Sequence, residues 1–384
     1  MNLIDWRELY ASNRAAIDAA GGNAGGSLPT GLTLPDLPVA PIRRGTAPLP
    51  ALPSGGLVHV PGLPGTISSP APAEAPGWER LEYREGERAR PFHLYTPPDL
   101  ATDTPAPLLV LLHGCTQSPT GFATATAMHR MADRHGFLLL CPEQTRGDNQ
   151  QACWNWFLPA HQARGAGEPA FIAGAVRQVM DGPAVVDPGR VYVAGLSAGG
   201  AMATVMAAAY PDLFAAAAVH SGLAYRSATN VGTAFQAMTR GAPDPDALGR
   251  AALGAMGEFA RAVPTIVVHG RDDGTVLPVN GEQVVRQWMA TNRLAAPAFH
   301  AVFEHPTDTR EEGAAGGHAS IRRRWHDDDG RLVQEYVEVA GLGHAWSGGG
   351  GAAFMDPRGP SASEAILAFF AETAGYSRPA TLET

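Results

Sequence analysis

The chain has 384 residues, 45% of them hydrophobic and 17% charged, and its 28 basic against 37 acidic side chains leave a formal net charge of −9. That is ample material for a large buried core, and the acidic balance excludes nucleic acid as an expected partner and favours a neutral substrate over a polyanion. No stretch approaches the ~18 consecutive apolar residues that span a bilayer, and the densest basic run, Ile321-Arg322-Arg323-Arg324, is followed at once by Asp327-Asp328-Asp329.

Residues 2–20 space Leu3, Trp6, Tyr10 and Ile17 loosely as on a helix, and Gly21-Gly22 ends the pattern. As far as Gly77 the chain is then dominated by Pro, Gly, Ala and Leu, the composition of an extended linker that buries too little surface to fold alone. Residues 1–77 are therefore expected to form a disordered leader. The alternative is a short amphipathic anchor on a spacer, suited to docking on a partner or a hydrophobic surface. The first eight residues carry neither a basic region nor an unbroken apolar one, so no secretory signal peptide is expected.

From Trp78 the texture changes. Pro107 to Leu112 is a short apolar run stopped by His113-Gly114, and it reads as a buried strand. The spacing then predicts a helix over 121–135, a strand over 137–141, a helix over 169–180, a strand over 190–194 and an Ala/Met-rich helix over 198–209. Strands over 214–219 and 264–268 follow, then helices over 278–291 and 361–374. Fully apolar strands alternating with helices predict an α/β architecture, a doubly wound and mostly parallel sheet with helices on both faces. This domain is expected over residues 78–376, with 377–384 as a tail. Two segments break the alternation: 224–262 suggests a small cap, and 320–325 with 332–339 suggests a hairpin about Asp327-Asp328-Asp329-Gly330.

Gly195-Leu196-Ser197-Ala198-Gly199 lies between the strand ending at Ala194 and the helix beginning at Ala198. The pentapeptide is a weak pattern alone, but a strand-to-helix context is what the nucleophile elbow of an α/β-hydrolase requires, with Ser197 as nucleophile. Small residues at Gly195, Gly199 and Gly200 leave room for the strained turn. A serine hydroxyl needs a base, and His344 in Gly341-Leu342-Gly343-His344-Ala345-Trp346 follows the strand ending at Val339. The acid falls in Arg271-Asp272-Asp273-Gly274, just past a strand end; Asp273 is favoured, with Asp272 as the alternative. His113-Gly114-Cys115 occupies the early-strand loop that supplies oxyanion donors, here the backbone N–H groups of Cys115 and Ala198. The remaining histidines show no metal-ligand spacing, and His220 and His269, at strand ends, are expected to be structural. Cys115, Cys141 and Cys153 form no C-x-x-C pair, which gives zinc no support, and an odd count allows one bridge at most. No metal and no organic cofactor is expected.

With those residues assembled, the sequence resembles the poly(3-hydroxybutyrate) depolymerase-type esterases, whose relatives include feruloyl and acetylxylan esterases. The matching landmarks are His113-Gly114-Cys115-Thr116-Gln117, Cys153-Trp154-Asn155-Trp156-Phe157, Gly195 to Gly200, His220-Ser221-Gly222 and Gly343-His344-Ala345-Trp346, spread over roughly residues 80 to 375. The resemblance implies an ester-hydrolysing domain with a Ser197, Asp273, His344 triad and a short-chain hydroxyalkanoate ester, oligomer or polymer as substrate. A feruloyl or acetylxylan ester is the runner-up, and a non-catalytic binding protein on the same scaffold is the reading from another class. The resemblance also implies that Trp154, Trp156 and Trp346 lie near the substrate cleft, with core packing as the alternative. It further implies that Cys115 and Cys153 could bridge in an oxidising compartment, and that residues 1–77 could meet a polyester granule or particle. Relatives of this kind are exported, whereas the missing signal peptide and polymer-binding domain fit an intracellular or unconventionally exported short-chain esterase better.

Overall fold

A computed structural model of the chain describes residues 76–242, 244–296, 298–313, 316–374 and 376. The expectations for residues 1–75 and 377–384 lie outside the described residues.

Five apolar segments form the middle of one ten-stranded sheet: β3 (Ala106–Leu112), β4 (Leu138–Pro142), β5 (Val186–Leu196), β6 (Ala216–His220) and β7 (Thr265–Gly270). Their central residues are buried on both faces, which is why they read as continuous apolar runs rather than as an alternation. β1 (Trp78–Glu85), β2 (Arg88–Tyr95), β8 (Asp308–Glu312), β9 (Ser320–His326) and β10 (Leu332–Val339) complete the order β1-β2-β4-β3-β5-β6-β7-β10-β9-β8. From β4 across to β10 every neighbour is parallel, whereas the two outermost pairings on each side are antiparallel.

Helices cover both faces. α1 (Pro119–Ala125), α2 (Met128–His135) and α8 (Ala362–Thr373) pack on one, enclosing a core that includes Leu109, Leu111, Leu139, Cys141, Tyr192, Trp346 and Phe369. α3 (Gly167–Met180), α4 (Ala198–Ala209), α6 (Pro245–Met256) and α7 (Val279–Ala295) form the other layer. Every residue of α4 is buried, so the helix carries no polar stripe and its small side chains let it sit close against β5 and β6. This is the α/β-hydrolase architecture predicted from the alternation of elements.

Two local expectations change, one is met, and the sheet gains three strands. The single helix over 121–135 is two, broken where Thr126 Oγ1 donates to Phe122 O at 2.9 Å, Ser363 Oγ donates to Thr126 O at 2.7 Å and Ala127 takes a left-handed φ of 57°. The segment expected as a cap instead extends the helical layer: α5 (Val231–Arg240) packs on α7, and α6 lies so close to α7 that a Cβ at Gly249 would meet Ala290. The hairpin β9–β10 forms, with Asp327 Oδ1 accepting the Asp329 and Arg331 N–H groups in its turn. β8 extends it by one strand, and β1 and β2 add a second hairpin at the opposite side of the sheet.

Candidate active site

The chain leaves β3 toward β4 on one side and reaches β5 on the other, so the two neighbouring strands mark a topological switch point where an open α/β sheet has its crevice. Leu112 pairs with Gly195, and the loops beginning at His113 and Ser197 therefore emerge side by side. Ser197 has φ 58° and ψ −119°, a strained backbone for any residue with a Cβ. The turn is held by Ser197 N–H donating to His220 O at 2.9 Å and Ala201 N–H donating to Ser197 O at 2.9 Å. It is also crowded: a Cβ at Gly199 would collide with Leu112 O, and one at Gly195 with the Gly199 carbonyl.

His344 lies on the loop after β10. Its Nε2 is 2.9 Å from Ser197 Oγ and its Nδ1 is 2.7 Å from Asp273 Oδ2. An ionised carboxylate can only accept, so Nδ1 carries the proton and Nε2 faces the hydroxyl as an acceptor. The other oxygen, Asp273 Oδ1, accepts the Thr275 and Val276 N–H groups at 2.9 Å each, which fixes the carboxylate plane. Burial pushes the Asp273 carboxyl up, but the His344 hydrogen bond, the neighbouring imidazoles and the Val276 N–H outweigh it and leave its pKa below the ordinary aspartate value. Asp272, the alternative acid, is exposed and meets this loop only through its N–H, which donates to Leu342 O at 3.0 Å.

Two more histidines lie beneath. His220 is fully buried, stacks on Trp346 with ring centroids 4.9 Å apart, and accepts the Ser347 N–H on Nε2 at 3.1 Å, so Nδ1–H points to Ser221 Oγ at 3.2 Å. Burial first, then the charges of His269 and His344, push its pKa down to about 3. His269 Nε2–H donates to Val276 O at 2.9 Å, and burial lowers its pKa as well. Both rings are neutral spacers under the relay, as their strand-end positions suggested.

The facing loop is pinned from several directions. Cys115 and Cys153 are disulfide-bonded, and Thr116, at φ 67°, donates its N–H to Gln151 O at 2.7 Å. His113 donates from Nδ1 to Gly114 O at 2.8 Å and accepts the Gln144 N–H on Nε2 at 3.2 Å. Gln117 Oε1 accepts the Gly114 N–H at 2.8 Å. The Cys115 and Ala198 N–H groups appear as donors in no hydrogen bond among the described residues.

The three tryptophans do not line an open cleft. Trp154 and Trp346 have no exposed surface and Trp156 retains 5%; Trp154 Nε1–H donates to His113 O at 3.0 Å and Trp346 Nε1–H to Ser363 Oγ at 3.1 Å. Trp154 and Trp346 brace the site from below, each with its indole N–H satisfied in the core, one by His113 O in the loop after β3 and the other by Ser363 Oγ in α8. Two contributors carried no clear sequence signal. Glu168, fully buried at the start of α3, accepts from Asn155 N–H at 2.7 Å, Asn155 Nδ2 at 2.6 Å and Gln144 Nε2 at 2.6 Å, tying down the loop that carries Cys153 and Trp154. Phe354 stands edge-on to the His344 ring, with centroids 6.2 Å apart. No group of three or more His, Cys, Asp or Glu among the described residues is arranged to hold a metal ion.

Comparisons with known proteins bear on the fold and the family. The solved structure of an acetyl xylan esterase from Aspergillus awamori superposes with a TM-score of 0.62 at 20% identity, covering 77% of this chain and 99% of that one, which is a likeness of fold. The chain is 37% identical over 246 residues to poly(3-hydroxyalkanoate) depolymerase C of Paucimonas lemoignei, a match covering 62% of this chain and 55% of that protein. It is 32% identical over 204 residues to feruloyl esterase B of Neurospora crassa, covering 51% of this chain and 68% of that one. The family model described as esterase PHB depolymerase matches residues 91–315. Because that match takes in more than half of the chain, and because Ser197, at the elbow of a parallel α/β sheet, lies within it, the chain belongs to the esterase PHB depolymerase family.

Proposed function

We propose that the chain is a serine carboxylic-ester hydrolase acting through Ser197, His344 and Asp273. The observation that carries this reading is the unbroken relay from Ser197 Oγ to His344 Nε2 at 2.9 Å and from His344 Nδ1 to Asp273 Oδ2 at 2.7 Å. Ser197 Oγ attacks the ester carbonyl while His344 Nε2 takes its proton. The new alkoxide is held by the Cys115 and Ala198 N–H groups, each of which contributes about 3 kcal/mol to the barrier reduction. His344 then protonates the departing alcohol, leaving the acyl group on Ser197. Water, deprotonated by His344, attacks the acyl-enzyme and releases the acid. Asp273 accepts the Nδ1 proton's hydrogen bond throughout and stabilises the imidazolium without taking the proton.

The proposed substrates are short-chain hydroxyalkanoate esters and their oligomers, on the strength of the depolymerase relative at 37% identity. Feruloyl esters are the second reading, supported by the relative at 32%. Hydrolysis of p-nitrophenyl butyrate tests the reaction class, and Ser197→Ala is expected to lower kcat by about 10⁴-fold or more. Equal rates for variant and wild type would reject this serine as nucleophile. A panel of hydroxybutyrate trimer, amorphous polyester, methyl ferulate and acetylated xylan separates the substrates, with the trimer expected to give the highest kcat/KM.

A further inference from the structure

Phe354 combines three features that ordinary surface packing does not explain. It is 44% exposed although large and aromatic, its backbone φ is 61°, and its ring stands edge-on to that of His344. Phe259, another exposed aromatic among the described residues, is covered by the Arg164 guanidinium 4.3 Å from its ring centroid. A left-handed φ on a bulky side chain is unfavourable and persists where surrounding contacts impose it.

Those contacts are rigid. β11 (Trp346–Ser347) pairs with β12 (Met355–Asp356), and Trp346 N–H donates to Phe354 O at 2.8 Å. The glycines between them are fastened as well, Gly348 N–H to Asp356 O at 2.8 Å and Gly350 N–H to Ala125 O at 2.9 Å. Gln117, whose Oε1 holds the Gly114 N–H of the oxyanion loop, reaches Ala353 O with its Nε2 at 3.5 Å. Phe354 is thus presented on a braced segment, directly after the Ala353 carbonyl that Gln117 reaches and beside the proton carrier.

Position relative to the reaction decides what such a ring would touch. The carbonyl oxygen is directed to the Cys115 and Ala198 N–H groups, whereas the leaving alcohol must pass His344 Nε2 to receive its proton. A ring beside His344 therefore borders the alcohol portion of the ester. We propose that Phe354 is a specificity-determining contact for that portion, selecting esters whose alcohol side carries apolar or aromatic surface; this rests on the assignment of Ser197 as nucleophile and His344 as proton carrier. In a hydroxyalkanoate oligomer the alcohol side is the next monomer, whose alkyl branch gives the ring such a surface.

The test compares ethyl butyrate with benzyl butyrate, which share one acyl-enzyme and one deacylation step, and adds ethyl hexanoate, which lengthens only the acyl side. In the full chain Phe354→Ala is expected to lower kcat/KM about tenfold for benzyl butyrate and about twofold for the two ethyl esters, as loss of an aromatic contact implies. The benzyl-to-ethyl ratio does not depend on how much enzyme is folded, and Phe354→Leu should lower it about half as far on a logarithmic scale. Equal losses on both butyrates in both variants, or a loss that follows acyl length, would overturn the proposal. Ser197→Ala distinguishes the two failures: if that variant cleaves all three esters as wild type does, the assignment of the site falls first.

Discussion

Asp273 shows how local geometry selects one of two adjacent carboxylates. Both aspartates follow β7, but only Asp273 turns inward, because the Thr275 and Val276 N–H groups of the next turn converge on its Oδ1 and leave Oδ2 for His344. The sequence favoured Asp273 but left Asp272 open, since two identical side chains in one loop differ only in where the turn points them. The meeting of Ser197 and His344 was legible, because a serine between an apolar strand and a small-residue helix and a histidine after the last parallel strand both fall at the same end of the sheet. The burial of Trp154 and Trp346 was not, since aromatic residues next to site loops read the same whether they face the cleft or brace its floor. The buried histidines lead to a pH prediction. His220 stays neutral in the folded chain down to about pH 3, but an unfolded histidine takes up a proton near pH 6.5. The unfolded state then binds more protons, so the contribution of His220 to stability is complete above pH 6.5 and is lost as pH falls toward 3. Between pH 7 and pH 5 this linkage costs about 2 kcal/mol. Urea unfolding of wild type and His220→Gln across that range should show a shallower loss in the variant, reduced rather than abolished because His113 and His269 are also held neutral by burial. Parallel profiles would rule out this role for His220.

The loop after β3 is an element held mainly from outside itself. The Cys115–Cys153 bond closes a separation of 38 residues, and Glu168 gathers the Cys153–Phe157 segment through Asn155 and Gln144. By the loop-entropy relation a bridge of that span stabilises the fold by about 4 kcal/mol. The double variant Cys115→Ser, Cys153→Ser is expected to lose stability of that order in denaturant titration and to lose kcat as well, because the Cys115 N–H is placed by the bridged loop. Unchanged kcat together with unchanged stability would show that the hydrogen bonds alone hold the loop. Glu168 escaped sequence analysis because an acid in the first turn of a helix is common for electrostatic reasons alone. Only the approach of two distant loops makes it a hub. The same limit applies to β1 and β8: Trp78-Glu-Arg-Leu-Glu-Tyr-Arg-Glu and Asp-Thr-Arg-Glu-Glu carry the charges of solvated segments, and charge is also how exposed edge strands avoid pairing with other chains. The parallel strands needed no such context, since burial on both faces writes itself as an unbroken apolar run. The break at Thr126-Ala127 lay between these cases, with helical spacing running through it and a contact from Ser363, far along the chain, deciding the outcome.

Across the whole molecule, the six parallel strands bring together residues separated by 147 positions between Ser197 and His344 and 71 between Asp273 and His344, at one end of the sheet. One face of the sheet supplies the tryptophan and phenylalanine floor beneath His220, and the other supplies α4, whose first N–H groups point at the crevice. Core and site are therefore built by the same strands, and the strain at Ser197 is carried by packing that extends through Gly195, Gly199 and Leu112. The most direct measurement on the central claim is covalent trapping. Incubating the full chain with diethyl p-nitrophenyl phosphate, which leaves a stable adduct on an activated serine, and mapping the phosphorylated peptide by mass spectrometry should find stoichiometric modification at Ser197, with p-nitrophenyl butyrate hydrolysis lost in proportion. Loss of hydrolysis with the label on another residue, or full labelling of Ser197 with hydrolysis intact, would contradict the account.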